Sequence, residues 1–346
     1  MKTACGMAAL VLTGASALFC VGHTAPKVRT STAQIVKAAN AFLATLSQDQ
    51  RKKELFAYTD EQQRARWSNF PTGFVPRAGL SLAELNVAQR TAAMALVSTA
   101  LSRKGYQKVQ EIMEGDEVLK SGSGERDQSM FGKGLYYISI LGTPSDKEPW
   151  MLQFGGHHLA INLTVAGERG ILTPTLTGAQ PATYTLNGKT VRPLGEESDK
   201  GLALLNSLDE SQQKQAILSY RVSDLVLGPG QDGKTIVPEG LKASAMTEKQ
   251  RAMLLEVIAA WAGIVHESEA ADRMKEIKAG LNDTWFAWSG PTTAAPGHNI
   301  SSYYRIQGPK LVIEYSPQRL GGDVSNHVHT MYRDPTDDYG RGTTAK

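Results

Sequence analysis

Four of the seven histidines in this 346-residue sequence stand in two close pairs. His157 and His158 are adjacent and follow Gly155 and Gly156, while His327 and His329 form an H-x-H pair much further along. Residues two apart on a strand project from the same face, so both imidazoles of H-x-H can reach one ion without distorting the backbone. Adjacent histidines in a regular strand cannot. His157 and His158 are expected to begin a strand, in which His158 shares the more polar face with Asn162 and His157 leads the apolar series Leu159, Ile161, Leu163 and Val165. A bulge at the two glycines would turn either ring toward a site.

Two imidazoles from H-x-H and one from the adjacent pair make a three-histidine centre with an open coordination position, the arrangement that catalytic zinc uses. Copper or iron accepts the same ligands. Such a centre would activate water or oxygen toward a small-molecule or polymer substrate. Glu314, in the run Leu311 to Tyr315, is the nearest acidic candidate, as a fourth ligand, a partner orienting a histidine, or a general base. Two other readings compete: a non-catalytic protein that binds a metal or small ligand through the same residues, and histidines that only hydrogen-bond their neighbours.

Other motifs carry less chemistry. Asp334, Asp337 and Asp338 lack the alternation and closing glutamate of a calcium loop and read as a turn held by Arg333. Arg77 and Arg126 read as surface ion-pairing residues, and Trp285 and Trp288 as core. The glycines near Arg126 lack the Gly-Lys-Ser/Thr ending of a phosphate loop. No Gly-x-Ser-x-Gly elbow is present.

Placing the histidines requires a sheet. Tyr136 to Leu141, Trp150 to Val165 and Ser302 to Ser316 are rich in branched and aromatic residues, and Gln307 to Lys310 supplies the turn of a C-terminal hairpin. Helices announce themselves through a capping residue followed three positions later by glutamine: Ser47 with Gln50, Asn86 with Gln89, Asp209 with Gln212 and Thr247 with Gln250. The unequal intervals between these copies exclude a solenoid. Helices are expected near 33–45, 48–57, 60–67, 87–101, 106–120, 197–207, 210–217, 248–262 and 268–281. Helices and strands are grouped and do not alternate, so the fold class is α+β, with helix-rich flanks around an antiparallel or mixed sheet that unites the Trp150 to Val165 region with the C-terminal hairpin.

Lys2, the small and apolar run Ala4 to Gly22 and the polar stretch from Lys27 form a secretory signal pattern, with cleavage expected after Gly22 and His23 left at the new terminus. Residues 23–346 would then be a single secreted or periplasmic α+β domain, its N-terminal part mostly helical. Thr13, Gly14 and Ser16 interrupt the run, which falls short of the about 20 strongly apolar residues of a membrane span. Both cysteines, Cys5 and Cys20, lie inside this signal, so neither a thiol nor a disulfide is expected in the mature chain. The formal charge is +3, from 37 basic and 34 acidic residues interspersed along the sequence. That pattern argues against nucleic acid as a partner.

The stretches FGGHHLAINLTV, TPTLTGAQPA, YYRIQGPKLVIEYSPQ and HVHTMYRDPTDDYG, with RWSNFP, PRAGLSLAEL, LSRKGYQKV and YYISILGTPS before them, resemble the domain of unknown function 3500 family across nearly all of the mature chain. The resemblance implies an exported protein with one family-wide domain. It implies no activity, substrate or metal.

Overall fold

The computed structural model describes Met1 and residues 31–124, 128–319 and 322–344. The body of the expected signal with both cysteines, His23 and Arg126 lie outside the described residues. The first half runs α1 (Ser31–Ala44), α2 (Gln48–Glu54), β1 (Leu55–Phe56), α3 (Glu61–Arg64), β2 (Leu80–Ser81), α4 (Val87–Ala100), α5 (Arg103–Gly122), β3 (Tyr137–Leu141), β4 (Trp150–Gly156), β5 (Leu159–Ala166), β6 (Arg169–Ile171) and β7 (Thr175–Ala179). The β8–β9 hairpin (Tyr184–Leu186 and Lys189–Val191) and α6 (Gly195–Asn206) follow. The second half runs α7 (Glu210–Ala216), β10 (Leu241–Lys242), α8 (Glu248–Ala262), α9 (Glu267–Ala279), β11 (Trp285–Ser289), β12 (Tyr303–Gly308), β13 (Leu311–Pro317) and β14 (Val328–Arg333).

The architecture is α+β. One 12-stranded sheet has the order β1-β3-β4-β5-β7-β14-β13-β12-β11-β10, with β2 on β3 and β6 on β5. It brings the β4–β5 region and the C-terminal hairpin together, as the need to pair their backbone groups requires. The Trp150 to Val165 region is itself a hairpin. Alternation decides the two faces: Leu159, Ile161, Leu163 and Val165 of β5 and Val328 and Tyr332 of β14 join the main core with helical residues such as Phe42, Leu96, Ile112 and Ile258. On the opposite face Ala160, Leu176 and Met331 pack beneath Trp67, from the segment between α3 and β2. Trp288 is fully buried, while Trp285 is only partly so and lies under the Lys242 ammonium.

Read outward from the β7–β14 pair, the sheet repeats itself. β5 corresponds to β13, β4 to β12, β3 to β11 and β2 to β10. Leu80 pairs with Ile138 as Leu241 pairs with Phe286, both antiparallel. Leu55 pairs with Ile140 as Ile217 pairs with Trp288, both parallel. All four capping boxes form, and they interlock in two equivalent ways. The Gln50 and Gln89 side chains exchange hydrogen bonds, and Gln89 also donates to Thr45 O; Gln212 and Gln250 do the same, and Gln250 donates to Ser207 O. The unequal intervals do exclude a solenoid. The four signals are instead two copies of one pair, because Ser47 with Asn86 recurs as Asp209 with Thr247.

One backbone constraint is duplicated to within a tenth of an ångström. Gly79 (φ +94°) and Gly240 (φ +96°) each press against a carbonyl of the strand below, where a Cβ would stand 2.1 Å from Ile138 O and 2.2 Å from Phe286 O. Left-handed geometry and close backbone approach both exclude a side chain here. Gly79→Ala and Gly240→Ala are therefore each expected to lower stability by about 1–3 kcal/mol, measured by chemical denaturation; a neutral result at either would show that the two turns are not equivalent.

Candidate metal centre

His157 and His158 do not begin a strand. They are the two turn residues between Gly156 and Leu159, the closing pair of the β4–β5 hairpin, so strand alternation does not orient them. His158 adopts φ 61°, a left-handed conformation that costs a side-chain-bearing residue about 1–2 kcal/mol. Its carbonyl accepts from Gly178 N at 2.7 Å, and its own N–H points to Asn69 O at 3.4 Å. The aligned turn of the second half, between Gly308 and Leu311, holds Pro309 and Lys310.

His327 and His329 share one face at the start of β14, as the H-x-H spacing requires. His329 is opposite Gly178 of β7 and Ser316 of β13. His158 Nε2 lies 3.1 Å from His327 Nε2, which lies 3.2 Å from His329 Nε2, and a ligand atom of each of the three falls within 4.8 Å of the others. Zinc bonds of about 2.0–2.1 Å at tetrahedral angles place ligand nitrogens about 3.3 Å apart. Two of the three separations match that spacing, and the ligand atoms of the remaining pair, His158 and His329, lie within 4.8 Å. In a neutral imidazole each ring nitrogen has either one proton to give or one lone pair to receive, so a cation between the rings, a metal ion or a proton, would relieve the contacts at His327 Nε2.

All three histidines are 3–5 % exposed. Burial, then the neighbouring imidazoles, holds His158 well below the usual histidine range. Burial also lowers His329, although Asp224 opposes it from 4.0 Å, carboxylate to Nδ1. Burial pushes Asp224 up, but the contact with His329 and the Leu225 N–H hold it below its ordinary value. The Asn69 amide also lies 3.3 Å from His329 Nδ1. A ring coordinating through Nε2 carries its proton on Nδ1, and Asp224, 4.0 Å away, is the acceptor on that side; the Asn69 contact is made by its amide nitrogen, while its Oδ1 accepts from Ser68 Oγ.

His157 stands outside this triad. Its Nδ1 is 2.6 Å from Asp116 Oδ1 of α5, and its ring stacks on His158 with centroids 3.7 Å apart. Of the adjacent pair, His158 is the one whose ring joins the other imidazoles.

Glu314 occupies the same sheet face as His329 but is engaged elsewhere. Its oxygens accept from Val226 N, Leu227 N and the Tyr303 hydroxyl, each at 2.7 Å. Burial raises its carboxyl while these three donors pull it back. It clamps the segment that carries Asp224, and none of its hydrogen bonds among the described residues goes to an imidazole. Arg77 is also not a surface ion-pairing residue: largely removed from solvent, it donates to Ser68 O, Phe70 O and Gly156 O, tying the Asn69 segment to the histidine turn. Arg333 does hold the C-terminal turn, through Asp338 at 2.8 Å and Asp232 at 3.0 Å. His266 caps α9, and exposed His298 lies 4.0 Å from Asp323.

Asp116, Asn69 and Asp224 did not stand out in the sequence. Asp116 left a trace, because Val109, Ile112 and Met113 mark the buried side of α5 and Asp116 continues that spacing with a charge. Asn69 and Asp224 sit in irregular segments and left none. The turn was also legible, since Gly-His-His-Leu at 156–159 repeats the spacing of Gly-Pro-Lys-Leu at 308–311.

These features define a duplicated α+β protein with a buried three-histidine cluster at the junction of its halves. The chain belongs to the DUF3500 family of proteins of unknown function, whose model matches residues 28–341. No curated protein and no solved structure matches it.

Two outcomes follow from the geometry. A Cβ at Gly178 would stand 2.9 Å from Val328 O and 3.2 Å from both Cβ and Cδ2 of His158. Gly178→Ala is expected to push the His158 ring off the other two and to weaken metal binding at least about tenfold in a protein that still folds; unchanged affinity in a chelator competition would refute the packing argument. The second outcome concerns pH. Because the folded-state values of His158 and His329 lie below 6.5, unfolded chains take up protons at these residues first as pH falls. Their contribution to the metal-free protein's stability is complete above pH 6.5 and is lost on acidification below it. Replacing His158 and His329 with Gln should flatten that part of the stability profile.

Proposed function

We propose that this chain is an exported metalloprotein in which His158, His327 and His329 hold one divalent transition metal, zinc, copper or iron, through their Nε2 atoms. The observation that supports this is the convergence of three buried imidazoles, with Nε2 separations of 3.1 Å from His158 to His327 and 3.2 Å from His327 to His329, while burial holds His158 and His329 toward the neutral, ligating form. The donor set is all nitrogen, and the only two cysteines precede residue 31. That set suits all three metals and does not select among them.

Three protein ligands leave a coordination position for water or substrate, so the activity we infer is that of a metal-dependent enzyme acting on water or oxygen. In this reading Asp224 faces the Nδ1 side of His329, and Glu314 serves by fixing the Asp224 segment. The substrate is a small molecule or polymer outside the cytoplasm. A specific observation favours a second reading: the ligands are almost completely buried, which suits non-catalytic binding with a closed coordination shell. Among the described residues no helix is long and apolar enough to cross a membrane.

Metal analysis of the purified protein decides the first point. One equivalent per chain is expected, lost in the His327→Ala/His329→Ala variant; no stoichiometric metal in the wild type, even after reconstitution, would refute the proposal. Cobalt substitution separates the two readings. An open position lets added azide change the visible cobalt spectrum, and a closed shell does not.

A further inference from the structure

We infer that Asp116 and His157 are positioning residues for His158: a two-step support running from helix α5 through the hairpin turn to the metal-facing ring. This rests on the metal-binding reading above and adds to it a named support with its own measurement.

The chain of contacts is continuous and buried. Asp116 is 4 % exposed, with both carboxylate oxygens engaged: Oδ2 accepts from Gly132 N at 2.8 Å, and Oδ1 receives His157 Nδ1–H at 2.6 Å. A carboxylate accepts and never donates, so this contact fixes the Nδ1–H tautomer of His157 and the plane of its ring. Two further contacts hold His157. Tyr136 OH donates to its carbonyl at 2.9 Å, and the Phe131 ring lies at a centroid distance of 5.1 Å. The remaining face meets the His158 ring at 3.7 Å, with 28° between the planes.

His158 needs such a support because its backbone is in the left-handed region, where a side chain persists only if its surroundings over-determine it. The Gly178 N–H and the Asn69 carbonyl hold its backbone. The His157 ring restrains its side chain. The arrangement differs from the usual outer support of a metal ligand, in which a carboxylate bonds the ligating ring directly. Here the carboxylate bonds a second imidazole, which transmits the restraint by stacking. The second half has no equivalent: Lys310 stands in place of His158, and Arg273 of α9 donates to its carbonyl while pairing with Asp334 at 2.9 Å.

The test compares Asp116→Ala, His157→Ala and the double variant. Each single change is expected to weaken metal affinity about 10–100-fold, and the double variant should be no worse than either single one, because all three break the same chain of contacts. Additive losses, or an Asp116→Ala variant that binds metal like the wild type, would overturn the inference. A metal-free measurement keeps it separate from the metal proposal. In the wild type, the nitrogen-15 imidazole spectrum should show the Nδ1–H tautomer at His157 and one set of His158 signals. In Asp116→Ala the His158 signals should move or double; if they stay unchanged, the positioning role is wrong whether or not metal binds. If they move although the wild type takes up no metal, the support stands and the metal reading falls. Should Asp116→Ala not fold, Asp116→Asn serves in its place, because its single amide oxygen cannot accept from both Gly132 and His157 as the two carboxylate oxygens do.

Discussion

The antiparallel pairing of β7 with β14 is the contact on which the rest of the molecule depends. Five registered pairs, from Val328↔Ala179 to Tyr332↔Thr175, join two half-sheets into one. At the middle pair the Thr177 and Thr330 hydroxyls share a hydrogen bond of 2.7 Å, and Trp261 of α8 donates to Thr330 from the helical layer at 3.0 Å. The same register sets His329 opposite Gly178, the residue whose N–H holds the His158 carbonyl and whose missing side chain leaves space for the His158 ring. Because side chains alternate along a strand, slipping this pairing by one residue would turn His329 toward the helices. Sheet continuity and the histidine cluster are therefore fixed by one set of backbone hydrogen bonds.

Duplication explains the shape of the molecule, and departure from it explains the site. Both halves build the same four main helices, interlocked caps and hairpin, yet their turns differ. Where the first half places His157 and His158 beside an aspartate of α5, the second places Pro309 and Lys310 beside an arginine of α9, which is neutralised by Asp334 and Glu276. A similar divergence runs through the sheet. Gln153 and Asn162, hydrogen-bonded at 3.1 Å on β4 and β5, correspond to Arg305 and Glu314 on β12 and β13. The neutral pair is completed by donors from Gln63 and Ser139 to Gln153 and by bonds from Gln153 to Arg64 O and from Asn162 to Pro174 O. The charged one is completed by Tyr303, the Val226 and Leu227 N–H groups and Glu239, because isolated charges are costly to bury. One consequence of those additional bonds is a fixed Asp224 segment.

Local physics was legible in the sequence to the extent that it was local. The four capping boxes form as their spacing requires, α8 spans the expected Glu248–Ala262, and the C-terminal hairpin turns at its glycine and proline. β7 and β14 were harder to see, since TPTLTGA is interrupted by proline and glycine and VHTMYR is short and carries charge, features that suit a strand's end or a sheet's edge more than its centre. The H-x-H pair was legible because period two is a property of the strand itself. Which of His157 and His158 faces it was not, because a turn has no such period and the choice depends on Asp116, Asn69 and Gly178, all remote in sequence. The duplication was present in the caps as two repeated pairs but was hidden by the segments that separate them.

The position of β14 carries a consequence for how the chain reaches this state. It follows every other described strand in order of synthesis, yet it lies at the centre of the sheet, between β7 and β13. Until it is added, the first half presents β7 as an unpaired edge and the second presents β13 as another, both open to mispairing. β14 covers β13 across a short connection, but β7 is covered only by pairing with β14, and contacts such as Thr177 with Thr330, 153 residues apart, are of the kind that slows folding. His327 and His329 arrive with it, so His158 has neither ring beside it until β14 is in place. The approach of the His158 ring to His327 and His329 then reports that the sheet has closed.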